Sequence, residues 1–220
     1  MARRSDHSHE EIRDMVLEAA EHIIVEQGHD GLTARKVASE IGYTVGTLYL
    51  VFENLDDLIM HINARTLNRL HQLMTDGETQ NLAPEDRLMQ LGQIYIHFAY
   101  SDPHCWALIF EHRPTDDRPM PDWYAEKIMR VFVIIEETLQ PLAPHRTESE
   151  ISQAACALWA GIHGICILGI TQKLGDVGED SVQNLAKSLI VNYLSGFANY
   201  QNQPMILKKS VNPAESAKPA

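Results

Sequence analysis

Apolar residues recur with helical spacing along almost the whole chain. Between Ser8 and Gly28 they fall at positions i, i+3, i+4, i+7, i+8, i+11 and i+12, which is a single stripe along one face of a helix. The alternation of apolar and polar residues that is typical of strands is almost absent. The pattern therefore predicts an all-α protein. The residues of the first stripe are Ile12, Met15, Val16, Ala19, Ala20, Ile23 and Ile24.

Local start and stop signals divide the pattern into about nine helices. Ser8 with Glu11 and Thr147 with Glu150 have the spacing of capping boxes, in which two side chains satisfy free backbone N–H groups at the start of a helix. We predict three short helices followed by six longer ones. They span about 8–28, 33–41, 45–51, 54–76, 84–98, a segment that begins at 102, 122–140, 147–173 and 181–203.

The second and third predicted helices have the spacing of a helix-turn-helix. Such a unit needs a small residue where the helices cross and, four positions later, a residue that tolerates positive φ, and Ala38 and Gly42 meet this requirement. Val37, Ile41, Val45 and Leu48 supply apolar contacts between the helices. The second of them then exposes small or hydroxyl side chains that can approach a DNA groove closely, namely Thr44, Gly46, Thr47 and Tyr49.

Residues 33–58, TARKVASEIGYTVGTLYLVFENLDDL, resemble the DNA-binding domain of the TetR family of bacterial transcription regulators. The resemblance covers roughly residues 8–60 and includes Gly28, Leu32-Thr33, Val37-Ala38, Ile41-Gly42, Gly46-Thr47-Leu48-Tyr49, Phe52 and Asp57-Leu58. It implies a three-helix DNA-binding domain at 1–54 and a helical ligand-binding and dimerisation domain at 55–204. The change of composition to Lys, Ser, Asn, Ala and Pro after Pro204 predicts a disordered or extended tail at 205–220.

The same resemblance implies roles for single residues of the helix-turn-helix. It places Thr33 and Tyr49 at phosphate contacts and Arg35 where a guanidinium can reach a base edge. Lys36 belongs to the same predicted DNA-contacting set. The residues predicted to read the major groove are Thr44, Val45, Gly46 and Thr47. Arg3 and Arg4 precede the first helix and are either further DNA contacts or solvated terminal charges.

Charge introduces an alternative to this interpretation. The net charge of the chain is −12, and residues 1–60 sum to −7, with five basic against twelve acidic residues. DNA affinity should therefore rest on few ion pairs. Val51 and Leu55 also stand where the family often has a polar or basic residue that helps to hold phosphate. The alternative is a dimeric helical protein that binds a small molecule or a partner and has a degenerate DNA-binding head.

A second, shorter resemblance lies near the C-terminus. Trp159, His163 and Gly164 resemble the Trp…His-Gly signature of one C-terminal subgroup of the family. Trp159 and His163 are four residues apart and so share one helix face. The sequence leaves three roles open for His163. It is either a core histidine that holds a neighbouring helix, or a ligand contact, or a metal ligand.

The remaining predictions concern the effector and the partners. We expect no cofactor, no metal and no enzymatic activity, since no catalytic motif is present. The family resemblance implies a cytoplasmic repressor that forms a homodimer through its last two helices. The dimer is expected to bind double-stranded operator DNA and to be released from it by a bulky hydrophobic molecule. The apolar stretch from Ala154 to Ile170 is predicted to be a buried helix rather than a membrane span. The predicted ligand contacts are Trp106, Ile109, Phe110, Trp123, Ile128, Phe132, Trp159, Ile162 and His163.

Overall fold

The protein is described by a computed structural model at residues 7–113, 119–175 and 177–199. Within these ranges the chain folds into ten α-helices and no β-strand, which confirms the all-α prediction. Arg3, Arg4 and the predicted tail at 205–220 lie outside the described residues. The helices are α1 (His9–Gln27), α2 (Ala34–Glu40), α3 (Val45–Leu48), α4 (Leu55–Met74), α5 (Gly77–Gln80), α6 (Pro84–Ser101), α7 (Pro103–Glu111), α8 (Asp122–Leu139), α9 (Glu148–Ile170) and α10 (Glu179–Asn199).

Nine of these ten helices correspond to the predicted ones, and α5 is the addition. With four residues, α5 is too short to show a helical period in its sequence. Both predicted capping boxes form. At the start of α1, for example, the Ser8 hydroxyl accepts a hydrogen bond from the Glu11 backbone N–H at 3.2 Å, and the Glu11 carboxylate accepts one from the Ser8 N–H. Local polar sequence signals therefore set these helix starts.

The apolar side chains form two hydrophobic cores. The N-terminal core contains the inner faces of α1, α2 and α3, the first part of α4 as far as Ile62, and Cys105 and Leu108 of α7. The C-terminal core begins at Ala64 of the same α4 and continues through α6 to α10. One continuous helix therefore contributes to both cores. The domain limits at residues 54 and 55 stay predictions, because α4, which follows them, contributes side chains to both cores.

Ion pairs add a second connection between α1, α4 and α7. Arg69 of α4 donates to the Asp102 carboxylate at 2.9 Å, and Asp102 also caps the N-terminus of α7. The Arg65 guanidinium lies 3.5 Å from the Asp14 carboxylate and 3.6 Å from that of Glu21. Burial raises the pKa of Glu21, and the two arginines oppose that rise. Two acidic residues of the N-terminal head, Asp14 and Glu21, therefore pair with arginines of α4.

Helix α9 is more apolar than its surroundings in the single chain require. Among the described residues it is the one helix long and apolar enough to cross a membrane, a test that core helices of soluble proteins also pass. Only 33% of its most apolar window is buried within the chain. Large apolar side chains of α9 and α10 are exposed instead, namely Ile167, Leu168, Leu185 and Val191. A helix with this composition is normally covered on most sides.

Candidate DNA-binding surface and cavities

Helices α2 and α3 form the predicted helix-turn-helix. Gly42 in the turn has a φ of +73°, the left-handed conformation that favours glycine. The next residue, Tyr43, donates its backbone N–H to the Ala38 carbonyl at 2.9 Å and closes the turn. Val37 and Ala38 of α2 and Leu48 of α3 are buried between the helices. Ala38 and Gly42 thus occupy the crossing and turn positions that their spacing predicts.

The structure exposes most of the side chains that were predicted to contact DNA. Thr33, Arg35, Lys36, Thr44, Gly46 and Tyr49 are exposed, whereas Val45 and Thr47 are half-buried. Thr33 and Thr44 are also N-caps. Their hydroxyls accept hydrogen bonds from the backbone N–H groups of Lys36 and Thr47, at 3.2 and 3.3 Å. Their positions are therefore fixed by the helix starts themselves.

The local charge of this surface differs from the charge of the head as a whole. Residues 33–52 carry Arg35 and Lys36 against a single acidic residue, Glu40. The Lys36 ammonium donates to the Gln27 side chain at 2.6 Å, and Glu40 lies 2.7 Å from His22. The helix-turn-helix segment is therefore weakly basic, although the head that contains it is acidic overall.

Val51 and Leu55, which depart from the family pattern, both pack against the N-terminal core. The Val51 carbonyl accepts a hydrogen bond from the Arg13 guanidinium at 2.8 Å. Each residue thus has a packing role that explains an apolar side chain.

The structure divides the predicted ligand contacts into two sets. The first set is an aromatic cluster in the C-terminal core, in which the His163 ring lies 4.3 Å from the Phe110 ring and stacks at 5.0 Å on Trp159. The His163 Nδ1 and the Tyr95 hydroxyl are 2.8 Å apart, and burial lowers the pKa of His163. The predicted members of this aromatic cluster are Trp106, Phe110, Phe132, Trp159 and His163.

The aromatic cluster leaves little empty space. A cavity of about 20 Å³ lies beside it, lined by Trp159, Ile162 and nine further residues. That volume holds about one water molecule. In this conformation the cluster packs as a filled core, with His163 bridging α9 to α6 through Tyr95.

The second set lines a larger cavity of about 570 Å³, which we call the junction cavity. Of the predicted ligand contacts, three line this cavity, namely Ile109, Trp123 and Ile128. The cavity lies where the start of α4, the end of α7 and the start of α8 meet. Its apolar and aromatic lining is completed by Met60, Pro119, Met120, Pro121 and Tyr124.

Several polar residues of the junction cavity, among them Asp56, Asp57 and Asn63, were not predicted from the sequence. Asp56 and Asp57 line the cavity and also lie in the first turn of α4, where carboxylates suit the helix dipole. Burial lowers the pKa of His112, which lies 3.4 Å from the Asp56 carboxylate. Asn63 is buried and donates to the Leu108 carbonyl at 3.4 Å. No local pattern could place Asp56, Asp57 and Asn63 of α4 beside the end of α7, which is distant from them in the sequence. Among the described residues, Glu53 and Asn54 also belong to the polar lining.

The cysteines and histidines offer little for redox or metal chemistry in the described ranges. Burial raises the pKa of Cys105 and of Cys166 to about 12, which keeps both as thiols at neutral pH. Cys156 is exposed on α9. Among the described residues no three His, Cys, Asp or Glu side chains are grouped as a metal site would require.

Comparison with protein families decides the identity of the chain. Residues 16–62 match the profile of bacterial regulatory proteins of the tetR family, and residues 88–193 match the tetracyclin repressor-like C-terminal domain. The chain belongs to the TetR family. This TetR-family protein is therefore a DNA-binding transcriptional regulator with a helix-turn-helix, and not an enzyme.

Individual relatives of the TetR-family regulator are distant. The HTH-type transcriptional regulator PksA of Bacillus subtilis is 28% identical over 83 residues, which are 38% of this chain and 40% of PksA. An HTH-type transcriptional regulator of Mycobacterium tuberculosis is 22% identical over 173 residues, 77% of this chain and 75% of that protein. The chain thus matches less than half the length of PksA.

Solved structures share the fold. A protein of unknown function from Rhodococcus sp. RHA1 superposes with a TM-score of 0.69 and 19% identity, covering 89% of this chain and 98% of its own. A TetR-family transcriptional regulator from Streptomyces coelicolor gives 0.62 and 17%, covering 84% and 98%. At these identities the likeness shows the fold alone.

Lowering the pH from 7 towards 5 is expected to reduce the free energy of unfolding, with His163 contributing to the slope. Burial holds the pKa of His163 below its ordinary value of 6.5. The unfolded chain therefore binds a proton at a higher pH than the folded chain, and stability is lost as the pH falls from about 6.5 through the folded pKa. Urea denaturation at several pH values should give a shallower slope for His163→Asn. The control is His9→Gln, an exposed histidine of α1; equal slopes in all three proteins would contradict the prediction.

Proposed function

We propose that this TetR-family regulator is a homodimeric repressor that a bulky hydrophobic molecule releases from operator DNA. The observation that carries the proposal is the junction cavity of about 570 Å³, which is large enough for a drug-sized ligand. Its wall includes the start of α4, directly after the helix-turn-helix. A ligand there touches the element on which the position of α3 depends.

DNA contact is proposed for the exposed residues of α2 and α3. Arg35 reaches a guanine edge, since an arginine fork matches two acceptors of guanine in the major groove. Tyr49 and Thr33 contact phosphate, and Thr44, Val45, Gly46 and Thr47 line the approach to the groove. The weakly basic charge of residues 33–52 supports this assignment over a degenerate head. So does the packing of Val51 and Leu55.

A second copy of the chain is the proposed cover for the exposed apolar faces of α9 and α10. Ile167 and Leu168 on α9 and Leu185 and Val191 on α10 are each between 38% and 47% exposed. Removing such surface from water is favourable by about 25 cal/mol per Å². A two-fold pairing also presents two copies of α3 to successive major grooves, about 34 Å apart. We propose the cytoplasm as the location of this dimer.

The effector is proposed to act through the junction cavity rather than the filled aromatic cluster. Ile109, Trp123 and Ile128 contact the effector directly. The other predicted ligand contacts support the neighbouring core, namely Trp106, Phe110, Phe132, Trp159, Ile162 and His163. Moving the protein from 99% to 1% DNA-competent requires about 10⁴-fold tighter binding of the effector to the released state. Such a preference requires extensive contact with α4 and α8.

Arg35→Ala is expected to weaken operator binding about 10- to 100-fold, because a bidentate contact to guanine is worth about 1–3 kcal/mol. The operator is first selected from random duplex DNA with the full-length protein, and affinities are measured by fluorescence anisotropy at two salt concentrations. The salt dependence should be shallow because few basic residues are available.

Arg130→Ala is the matched control for this change, since it removes the same side chain from an exposed position on α8. Its affinity should equal that of the wild type. Equal affinities for Arg35→Ala and wild type would remove Arg35 from the interface. Failure to select any sequence would refute sequence-specific DNA binding.

Leu185→Glu should convert the dimer into a monomer in sedimentation equilibrium, because it places a charge on the apolar face of α10. Leu185 is 44% exposed in the single chain. Met129→Glu introduces the same charge on α8, at a residue that is 53% exposed, and should remain dimeric. A wild-type protein that sediments as a monomer would contradict the proposed pairing.

The lipophilic probe N-phenyl-1-naphthylamine is expected to bind in the junction cavity and to lower operator affinity about tenfold or more, within the usual range of allosteric coupling. Ile128→Trp fills the cavity and should abolish the fluorescence rise of the probe. Val133→Trp, on the exposed side of α8, should not. A bound probe that leaves operator affinity unchanged would refute ligand control through this cavity.

A further inference from the structure

His61 lies where α1, α4 and α8 meet. Its ring belongs to α4 and stacks on the Trp123 indole of α8, with ring centroids 4.5 Å apart and planes inclined by 11°. Trp123 lines the junction cavity. On its other side, His61 Nε2 accepts a hydrogen bond of 2.7 Å from the Arg13 guanidinium of α1. One imidazole therefore joins the wall of the cavity to the first helix of the head.

Arg13 continues the connection to the end of the helix-turn-helix. It donates to the Val51 carbonyl at 2.8 Å, and its guanidinium carbon lies 4.5 Å from the centre of the Phe52 ring. The Phe52 backbone N–H in turn donates to the Leu48 carbonyl, which belongs to α3, at 3.1 Å. Arg13 thus holds the segment that directly follows the helix predicted to enter the groove.

The contact between Arg13 and His61 requires a neutral imidazole. A guanidinium has donors only, so His61 Nε2 must accept and the ring proton must be on Nδ1. Burial and the charge of Arg13 both lower the pKa of His61, while Asp57, whose carboxylate is 3.4 Å from Nε2, opposes them. The ring can therefore stack and accept at the same time. Both functions depend on its exact position.

We propose that His61 is a positioning residue that transmits a displacement of Trp123 to the end of α3. When an occupant of the junction cavity shifts the indole, His61 loses the surface on which it stacks. Arg13 then loses a fixed acceptor, and its hold on Val51 and Phe52 loosens. The biological meaning of this step rests on the proposed ligand control, but the mechanical coupling exists without any ligand.

The coupling is tested by hydrogen–deuterium exchange of the full-length protein without ligand or DNA. Trp123→Leu should increase exchange in residues 45–52 by about threefold or more, because the local opening of this segment becomes easier. Trp159→Leu removes the same side chain from the aromatic cluster and should leave residues 45–52 at the wild-type rate. Exchange in α10 reports global stability and should be unchanged by Trp123→Leu.

Two substitutions of His61 separate its contacts. His61→Gln keeps an acceptor for Arg13 without the ring, and His61→Phe keeps a ring for Trp123 without the acceptor. Each should increase exchange in residues 45–52. Adding Trp123→Leu to His61→Gln should have no further effect, since the stack is already lost. Trp123→Phe retains a smaller aromatic face and should restore most of the protection if Trp123→Leu folds poorly.

Wild-type exchange of residues 45–52 in Trp123→Leu would overturn the proposal, and so would an increase spread evenly over the whole chain. These outcomes are distinct from failure of ligand control. If N-phenyl-1-naphthylamine changes operator affinity while Trp123→Leu leaves exchange unaltered, ligand control stands and His61 is not its route. If exchange responds as expected and the probe never alters operator affinity, the coupling stands and ligand control fails.

Discussion

The continuity of α4 is the constraint on which the other parts of this molecule depend. Its 20 residues span about 30 Å with unbroken backbone hydrogen bonding. Its first turns, as far as Ile62, complete the core of the DNA-binding head, and from Ala64 onward it belongs to the core of the larger domain. Neither core can change the direction of this helix without affecting the other. A tilt imposed at one end is therefore passed along a rigid rod rather than absorbed by a linker.

The side-chain contacts of α4 with α1, α7 and α8 determine which parts of the molecule such a tilt would move. Arg65 and Arg69 pair with acids of α1 and with Asp102 at the start of α7, so charged groups hold α4 in place along one side. On another side, His61 contacts Trp123 and Arg13. The first group is half-exposed and weakened by salt. The second depends on ring geometry, which makes it the more specific contact.

Much of this arrangement follows from short-range sequence patterns. Nine of the ten described helices, the two capping boxes and the Ala38–Gly42 turn depend on residues that are close in the sequence, so the sequence was sufficient to predict them. The junction cavity was not predictable in this way, because Asp57 and Trp123 are distant in the sequence and line one cavity only through packing of α4 against α8. For the same reason the predicted ligand contacts, chosen as aromatic and apolar residues of three helices together with His163, divided into a packed cluster and a cavity wall. Val51 departs from the family pattern, and the sequence did not explain why. The structure does, because Val51 packs against the N-terminal core and its carbonyl accepts a hydrogen bond from Arg13.

Cys105 and Leu108 have a consequence for how members of this fold can exchange parts. Both side chains lie on α7 of the larger domain, yet both are completely buried in the core of the head. The head is therefore not a self-contained cassette. A chimera that joins a foreign head to this body inherits two side chains shaped for another core, which leaves either a void or a clash. A recombination event that exchanges the head would therefore also have to exchange this stretch of α7. The two segments are separated in the chain by the whole of α4, α5 and α6.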